Sequence, residues 1–259
     1  MKNTFVETSN VKRFLTALSA LEQRGAQEAC LAVVDGLPGL GKTTTLKQWV
    51  AQNGAVYLRA KKEWSPSWFM NELLEELRVN QPPHSFQKKF QKVVQELALR
   101  NASAQMARRN FALVIDEADH ISKKETILET VRDISDIIEL PIILVGMGKV
   151  NDHLTRFPQV ASRVSQKVRF EKATIDDVRL LIEKRCEVKV APDLVTFVLK
   201  VSQGFNREVL EAIANIERFG LRMDAADIGN QGVTLRDMAG QPLVNDRHTN
   251  QPIFVPEQY

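Results

Sequence analysis

A glycine-rich segment early in the chain has the residue types and spacing of a phosphate-binding loop. Residues 36–43 read Gly-Leu-Pro-Gly-Leu-Gly-Lys-Thr and match the pattern G-x-x-x-x-G-K-[ST] at every fixed position. In such a loop the backbone N–H groups surround the phosphates, the lysine reaches the β- and γ-phosphates, and the hydroxyl binds Mg²⁺. The segment therefore predicts a nucleoside triphosphate site with Lys42 and Thr43 in these roles.

The residues on either side of the loop support this interpretation. The apolar run at residues 30–35 predicts a buried strand, and residues 43–50 predict a helix. A strand–loop–helix order is the context in which this motif binds ATP and Mg²⁺. The predicted nucleotide-binding residues are Gly36, Leu37, Pro38, Gly39, Leu40, Gly41, Lys42, Thr43 and Thr44.

Two acids follow an apolar strand in the middle of the chain. Residues 111–115 are apolar, and Asp116 and Glu117 come directly after them. A strand end of this kind would place Asp116 beside the loop, where it can help to hold Mg²⁺. Glu117 would then polarise a water for attack on the γ-phosphate; the alternative is that it only caps the next turn. The two acids favour hydrolysis over transfer to a small acceptor, which would need a pocket of its own.

The order of apolar segments predicts an α/β fold. Strands alternate with amphipathic helices, which argues for a P-loop parallel sheet with helices on both faces. Further strands are predicted at 55–58, 141–145 and 167–170, and helices at 66–78, 85–100 and 125–138.

The pattern changes after residue 172 to helices only. Thr174 and Asp177 have capping-box spacing, and Asn206 is expected to cap a later helix. The predicted domains are an α/β nucleotide-binding domain over 1–172, a small helical domain over 173–220 and a polar C-terminal tail over 221–259.

The composition argues against a membrane-spanning or secreted protein. No apolar run approaches the roughly 20 residues needed to span a bilayer, and the first residues lack the apolar core of a signal peptide. The two cysteines, Cys30 and Cys186, fall in different predicted elements, so we expect no disulfide and a cytoplasmic location without membrane contact.

The net charge of +3 is unevenly distributed. Residues 84–110 carry six basic side chains and a single acid, and a smaller basic cluster follows the second predicted strand. Such an uneven distribution favours a polyanionic partner; the alternative is a solvated helix face.

The order of these features resembles the AAA+ ATPases. Asp116-Glu-Ala-Asp-His120 resembles their Walker B segment, and the helices after residue 173 are similar to their lid domain. Gly204-Phe-Asn-Arg207 resembles their sensor 2 motif, which implies that Arg207 contacts the γ-phosphate. By the same resemblance Arg163 is the candidate arginine finger for a neighbouring subunit's site. Arg156 is the second candidate, and either arginine could instead form a surface salt bridge.

One position departs from the AAA+ pattern. The fourth strand normally ends at a polar sensor 1 residue, whereas here Val145 is followed by Gly-Met-Gly before Lys149. This departure suggests slow intrinsic hydrolysis that rises with DNA or a partner.

Within AAA+ proteins the chain looks most like the transposition regulators of the phage Mu B, IstB and TnsC kind. This resemblance implies ATP-dependent self-association into an oligomer or helical filament on double-stranded DNA, largely independent of sequence. It also implies delivery of that DNA to a transposase, with hydrolysis driving disassembly. The candidate DNA-binding residues are Arg59, Lys61, Lys62, Lys88, Lys89 and Lys92.

Two other functions stay open. A replication initiator or helicase loader has the same ATPase parts but normally carries a winged-helix domain after the lid. An ATP-driven switch that contacts only proteins is a further alternative, and the basic segment argues only weakly against it.

Overall fold

The structure is a computed structural model and describes residues 1–23, 25–26, 28–223 and 231–257. The chain folds into two compact units. The sheet unit consists of residues 13–37 and 42–170. The helical unit consists of residues 1–12, 38–41 and 171–259, so it includes four residues of the phosphate loop.

The sheet unit contains the strands β1 (Leu31–Asp35), β2 (Val56–Arg59), β3 (Leu113–Asp116), β4 (Ile142–Val145) and β5 (Val164–Arg169). They are parallel and pair in the order β2-β3-β4-β1-β5. The interior strands β3 and β4 are buried along their whole length, as expected for a sheet covered on both faces. The predicted α/β fold with a parallel sheet is therefore confirmed.

Helices follow most of these strands, and local sequence sets their starts. Ser65 and Ser85 accept hydrogen bonds from backbone N–H groups in the first turns of α3 and α4. In the described parts of the chain, no helix has the length and apolar character needed to cross a membrane. The helices are α1 (Ser9–Glu22), α2 (Lys42–Asn53), α3 (Pro66–Glu76), α4 (Phe86–Met106), α5 (Glu125–Ile138), α6 (Val150–Leu154) and α7 (Pro158–Ala161).

The helical unit contains α8 (Ile175–Arg185), α9 (Pro192–Ser202) and α10 (Asn206–Gly220). The capping box at α8 forms as predicted, because Thr174 and Asp177 exchange side-chain to backbone hydrogen bonds. The expectation for Asn206 is wrong: Phe205 occupies the capping position of α10. The Asn206 amide instead donates to the carbonyl of Leu40 at 3.1 Å.

The segment 221–259 was expected to be a polar tail, and the structure corrects this for much of it. Strands β6 (Pro242–Asn245) and β7 (Pro252–Phe254) pair antiparallel. Leu243, Val244 and Val255 are at most 1% exposed and belong to the same core as α8–α10. Apolar residues of this segment therefore complete the core formed by α8–α10. The expected tail also includes residues 224–230 and 258–259, which lie outside the described residues.

Leu243→Ala tests whether this hairpin is part of the core. Because Leu243 is fully buried, we expect the free energy of unfolding in urea to fall by about 2–5 kcal/mol. Leu221→Ala is the matched control, since Leu221 is 64% exposed and should lose no more than about 0.5 kcal/mol. Equal, small effects of the two substitutions would mean that the hairpin does not pack in solution.

Candidate nucleotide-binding site

Lys42 opens helix α2 and is nearly buried. Its ammonium group donates to the backbone carbonyls of Gly36 at 2.6 Å and Leu37 at 2.9 Å. Burial lowers the pKa of Lys42, and nearby carboxylates, with Asp116 the strongest, partly offset that effect. The lysine is thus held against the start of the phosphate loop, where a phosphate group would be a stronger partner than a carbonyl.

Asp116 connects three elements at the end of β3. One carboxylate oxygen, Oδ2, accepts hydrogen bonds from the Thr43 hydroxyl at 2.8 Å and the Tyr57 hydroxyl at 2.7 Å. The other oxygen accepts from the backbone N–H of Glu117 at 2.8 Å. Burial, followed by the hydrogen bond to Asp116, raises the pKa of Tyr57. Sequence analysis missed Tyr57, whose role depends on the pairing of β2 with β3.

The oxygens of Thr43 and Asp116 also suit a magnesium ion. Mg²⁺ prefers oxygen ligands and is commonly held by one or two carboxylates together with substrate phosphates. The Thr43 hydroxyl and the buried Asp116 carboxylate lie side by side at the first turn of α2, where phosphates would bind. The residues present therefore fit the ion that the sequence predicts.

Glu117 has an unusual backbone and a paired side chain. Its φ of 55° lies in the left-handed region, which is uncommon for residues other than glycine and is often found at functional sites. Arg59 Nη2 donates to Glu117 Oε1 at 2.5 Å, and His120 Nε2 lies 3.6 Å from the second oxygen. The hydrogen bond from Arg59 lowers the pKa of Glu117. The carboxylate is therefore ionised, as a general base must be, but engaged by an arginine.

The turn after β4 explains why the sensor 1 position lacks a polar side chain. A Cβ on Gly146 would lie 2.2 Å from Val150 Cγ2 and 2.7 Å from the Asp119 carboxylate. Asp119 accepts the Met147 N–H at 2.7 Å, and Asp35 accepts the Gly148 N–H at 3.1 Å. The space beside the turn is occupied by two carboxylates that sequence analysis did not single out.

Residues 38–41 of the phosphate loop belong to the helical unit, and two arginines of that unit contact them. The backbone N–H of Arg207 donates to Gly39 O at 3.2 Å, while the Arg207 side chain is exposed. A second arginine, Arg247, donates from Nη2 to Pro38 O at 2.6 Å. Sequence analysis missed Arg247 because it lies in the segment expected to be a tail.

The two candidate arginine fingers differ in their surroundings. Arg163 Nε lies 3.0 Å and 3.1 Å from the two carboxylate oxygens of Asp136, and this contact raises the pKa of Arg163. Arg156 is exposed. Arg163 thus forms the salt bridge that the sequence left open as an alternative, and action on a neighbouring subunit would require it to leave Asp136.

The candidate DNA-binding residues do not form one continuous basic surface. Lys89 is buried, with its ammonium group 3.3 Å from the Ser67 hydroxyl, so the prediction that it is an exposed DNA contact is wrong. Lys62 and Lys88 are exposed. The other three are ion-paired: Arg59 with Glu117, Lys61 with Glu72, and Lys92 with Glu96.

The family described as AAA domain matches residues 24–154. The chain belongs to the AAA domain family. The match includes the phosphate loop, the strand that ends at Asp116 and the turn after β4, whereas Arg156, Arg163, Arg207 and Arg247 lie outside the matched residues. The five-stranded parallel sheet of this AAA protein is the P-loop AAA+ fold that the sequence predicts.

Known proteins similar to this AAA protein include a phage regulator. The ATP-dependent target DNA activator B of Escherichia phage Mu is 26% identical over 187 residues, which cover 69% of this chain but only 55% of that protein. A potential ATP-binding protein of Staphylococcus aureus is 21% identical over 245 residues, covering 83% and 88% of the two chains. The crystal structure of Cdc6p from Pyrobaculum aerophilum matches with a TM-score of 0.62 at 18% identity, covering 92% and 68%. This last likeness shows the fold.

Arg59→Met should raise the pKa of Glu117 toward its ordinary value of about 4.3, because the strongest hydrogen bond to the carboxylate is lost. The lowered folded-state pKa means that the pair stabilises the wild type above the unfolded-state pKa. That stabilisation disappears as the pH falls through the folded-state pKa. Carbon-detected NMR titration of the glutamate carboxyls between about pH 3 and pH 7 measures the shift.

The control for this titration is Lys62→Met, which removes an exposed cation three residues from Arg59. Glu117→Gln assigns the carboxyl signal. An unchanged titration in the Arg59 variant would contradict the ion pair.

Proposed function

We propose that this AAA protein is a Mg²⁺-dependent ATPase that assembles on double-stranded DNA and presents the DNA to a transposase. One observation carries the ATPase part: Thr43 of the phosphate loop and Asp116 of β3 share a hydrogen bond of 2.8 Å, with Glu117 next in the chain. The residues proposed for phosphate binding, metal binding and general-base catalysis therefore lie next to one another. The family match supports nucleotide binding at this loop.

In this proposal each residue has a defined task. The loop N–H groups and the N-terminus of α2 bind the phosphates, and Lys42 exchanges its carbonyl partners for phosphate oxygens. Thr43 and Asp116 would hold Mg²⁺, which would supply positive charge beside the phosphates. Glu117 accepts a proton from the attacking water. Arg207 would contact the γ-phosphate, and Arg163 or Arg156 would complete the site of a neighbouring subunit.

The Arg59–Glu117 pair offers a way to couple hydrolysis to DNA. Glu117 is a poor base while Arg59 donates to its carboxylate, because that hydrogen bond stabilises the ionised form. The Arg59 side chain is 68% exposed at the last position of β2, so a DNA phosphate could compete for its guanidinium. Loss of the pair would free Glu117 for the water. Hydrolysis would then be slow in the isolated protein and faster on DNA.

The transposase part rests on the phage Mu relative. That protein is named an ATP-dependent target DNA activator, and the similarity covers 69% of this chain. The exposed lysines Lys62 and Lys88 can contact DNA phosphates without reading the bases, which suits DNA capture without sequence preference. Because the match covers only 55% of the relative, the whole activity of that protein is proposed here by similarity.

The fold likeness to Cdc6p shows the fold alone. The second candidate is a replication initiator or helicase loader, which has the same ATPase parts. Such a protein would also bind DNA with ATP. An assay of transposase strand transfer on target DNA distinguishes the two candidate functions. The proposed function predicts that this protein stimulates strand transfer, whereas a helicase loader is not expected to do so. A switch that contacts only proteins would bind no DNA.

DNA binding is tested by filter binding and electron microscopy with random-sequence duplex DNA in ATP, ADP or no nucleotide. We expect ATP-dependent filaments and an affinity that falls steeply between about 50 and 200 mM salt, since phosphate contacts release counterions. Lys62→Ala combined with Lys88→Ala should reduce the slope of log affinity against log salt by about 2.

The matched control for this experiment is Lys184→Ala with Lys200→Ala, which removes two exposed lysines from α8 and α9. It should leave the slope unchanged. No binding to duplex DNA at the lowest salt would reject the DNA role and favour the protein switch.

Glu117→Gln tests the role of the general base. The amide cannot accept the proton, so ATP hydrolysis should fall by about 10²- to 10⁴-fold while ATP binding persists and assemblies no longer come apart. Steady-state phosphate release and nucleotide affinity measure the two effects. Arg59→Met should act in the opposite direction and raise hydrolysis without DNA. Normal turnover in the glutamine variant would show that another group is the base.

A further inference from the structure

The loop between β6 and β7 brings an arginine onto the phosphate loop. Arg247 Nη2 donates to Pro38 O at 2.6 Å, and Nη1 lies 3.1 Å from the position that a Cβ on Gly39 would occupy. Both loop residues belong to the helical unit together with Arg247. The guanidinium therefore touches the part of the loop that precedes helix α2.

This arginine is held firmly in place. Its guanidinium carbon lies 3.9 Å from the centroid of the buried Phe205 ring, a cation–π geometry, and Nη1 donates to Glu208 at 3.0 Å. The turn that carries it is also fixed, because Asp246 Oδ1 accepts the backbone N–H groups of His248 and Thr249. The side chain thus needs little further ordering to meet a ligand.

The same contacts leave capacity for an anion. A guanidinium has five N–H donors, and the hydrogen bonds to Pro38 and Glu208 use two of them. The remaining N–H groups can donate to the oxygens of a phosphate, whose geometry a guanidinium matches.

The position on the loop indicates which phosphate. Under the proposed function, the N-terminus of α2, at Lys42 and Thr43, would hold the inner phosphates and the metal. Pro38 and Gly39 lie in the other half of the loop, so a phosphate beside them would be the one at the other end of the triphosphate chain. An arginine there would contact the phosphate that ATP has and ADP lacks.

We propose that Arg247 binds the terminal phosphate of ATP and makes the phosphate loop distinguish ATP from ADP. This inference rests on the proposed binding of ATP at the loop. It gives the hairpin after the helical domain a direct part in sensing the nucleotide. It also places a second arginine beside Arg207, whose backbone, as described above, already bonds to Gly39.

The test measures affinities of the full chain for fluorescent ATP and ADP analogues with Mg²⁺. Arg247→Ala should lower the preference for ATP over ADP by about 10-fold, since a charge-assisted bond to the terminal phosphate is lost. ADP affinity should change far less. Arg247→Lys, which keeps the charge but loses the planar fork, should lose part of the preference.

Arg236→Ala is the control, because Arg236 is an exposed arginine in the same C-terminal segment. Circular dichroism melting of each variant without nucleotide checks that the fold is kept. A variant that loses ATP and ADP affinity equally, or keeps the wild-type preference, would overturn the proposal. A wild type that binds neither nucleotide would overturn the ATPase function as well, whereas one that prefers ATP but ignores DNA would overturn only the DNA role.

Discussion

The buried carboxylate of Asp116 is the interaction on which the candidate site depends. It accepts hydrogen bonds from Thr43 on α2, from Tyr57 on β2 and from the Glu117 N–H that follows β3. A carboxylate that is 5% exposed needs such partners, because an unpaired buried charge is costly. The parallel register of β2 and β3 sets Arg59 opposite Asp116, which brings its guanidinium to Glu117. The pairing of β2 with β3 therefore also sets the geometry of the candidate site.

Ion pairs reduce the positive charge that the candidate DNA-binding residues offer to a polyanion. Three of the six candidate DNA-binding cations are paired with carboxylates: Arg59 with Glu117, Lys61 with Glu72, and Lys92 with Glu96. Exposed ion pairs of this kind contribute little to stability, so a phosphate can displace the carboxylate at modest cost. Lys62 and Lys88 are exposed and do not take part in these ion pairs. Under the proposed function, tight DNA binding would require several copies to act together.

The helical unit shows how a short segment can gain a role through packing. Residues of β6 and β7 are too few to form a core, yet they complete the one made by α8–α10. That packing fixes the turn carrying Arg247 against Pro38, although the two residues are 209 positions apart. The same unit uses Asn206 to bond to the loop rather than to cap its own helix. Arg247 and Asn206 therefore both form hydrogen bonds to the phosphate loop.

The phosphate loop, the order of strands and helices, the capping box at Thr174 and the parallel α/β class can all be predicted from the sequence. These features follow from local spacing and from hydrophobic periodicity, which neighbouring residues carry. The burial of Lys89, the contact of Arg59 with Glu117 and the contact of Arg247 with Pro38 become visible only in the folded chain. Each of these depends on which distant side chain supplies a partner. Such partners are set by strand order and by packing between elements, and no local pattern records them.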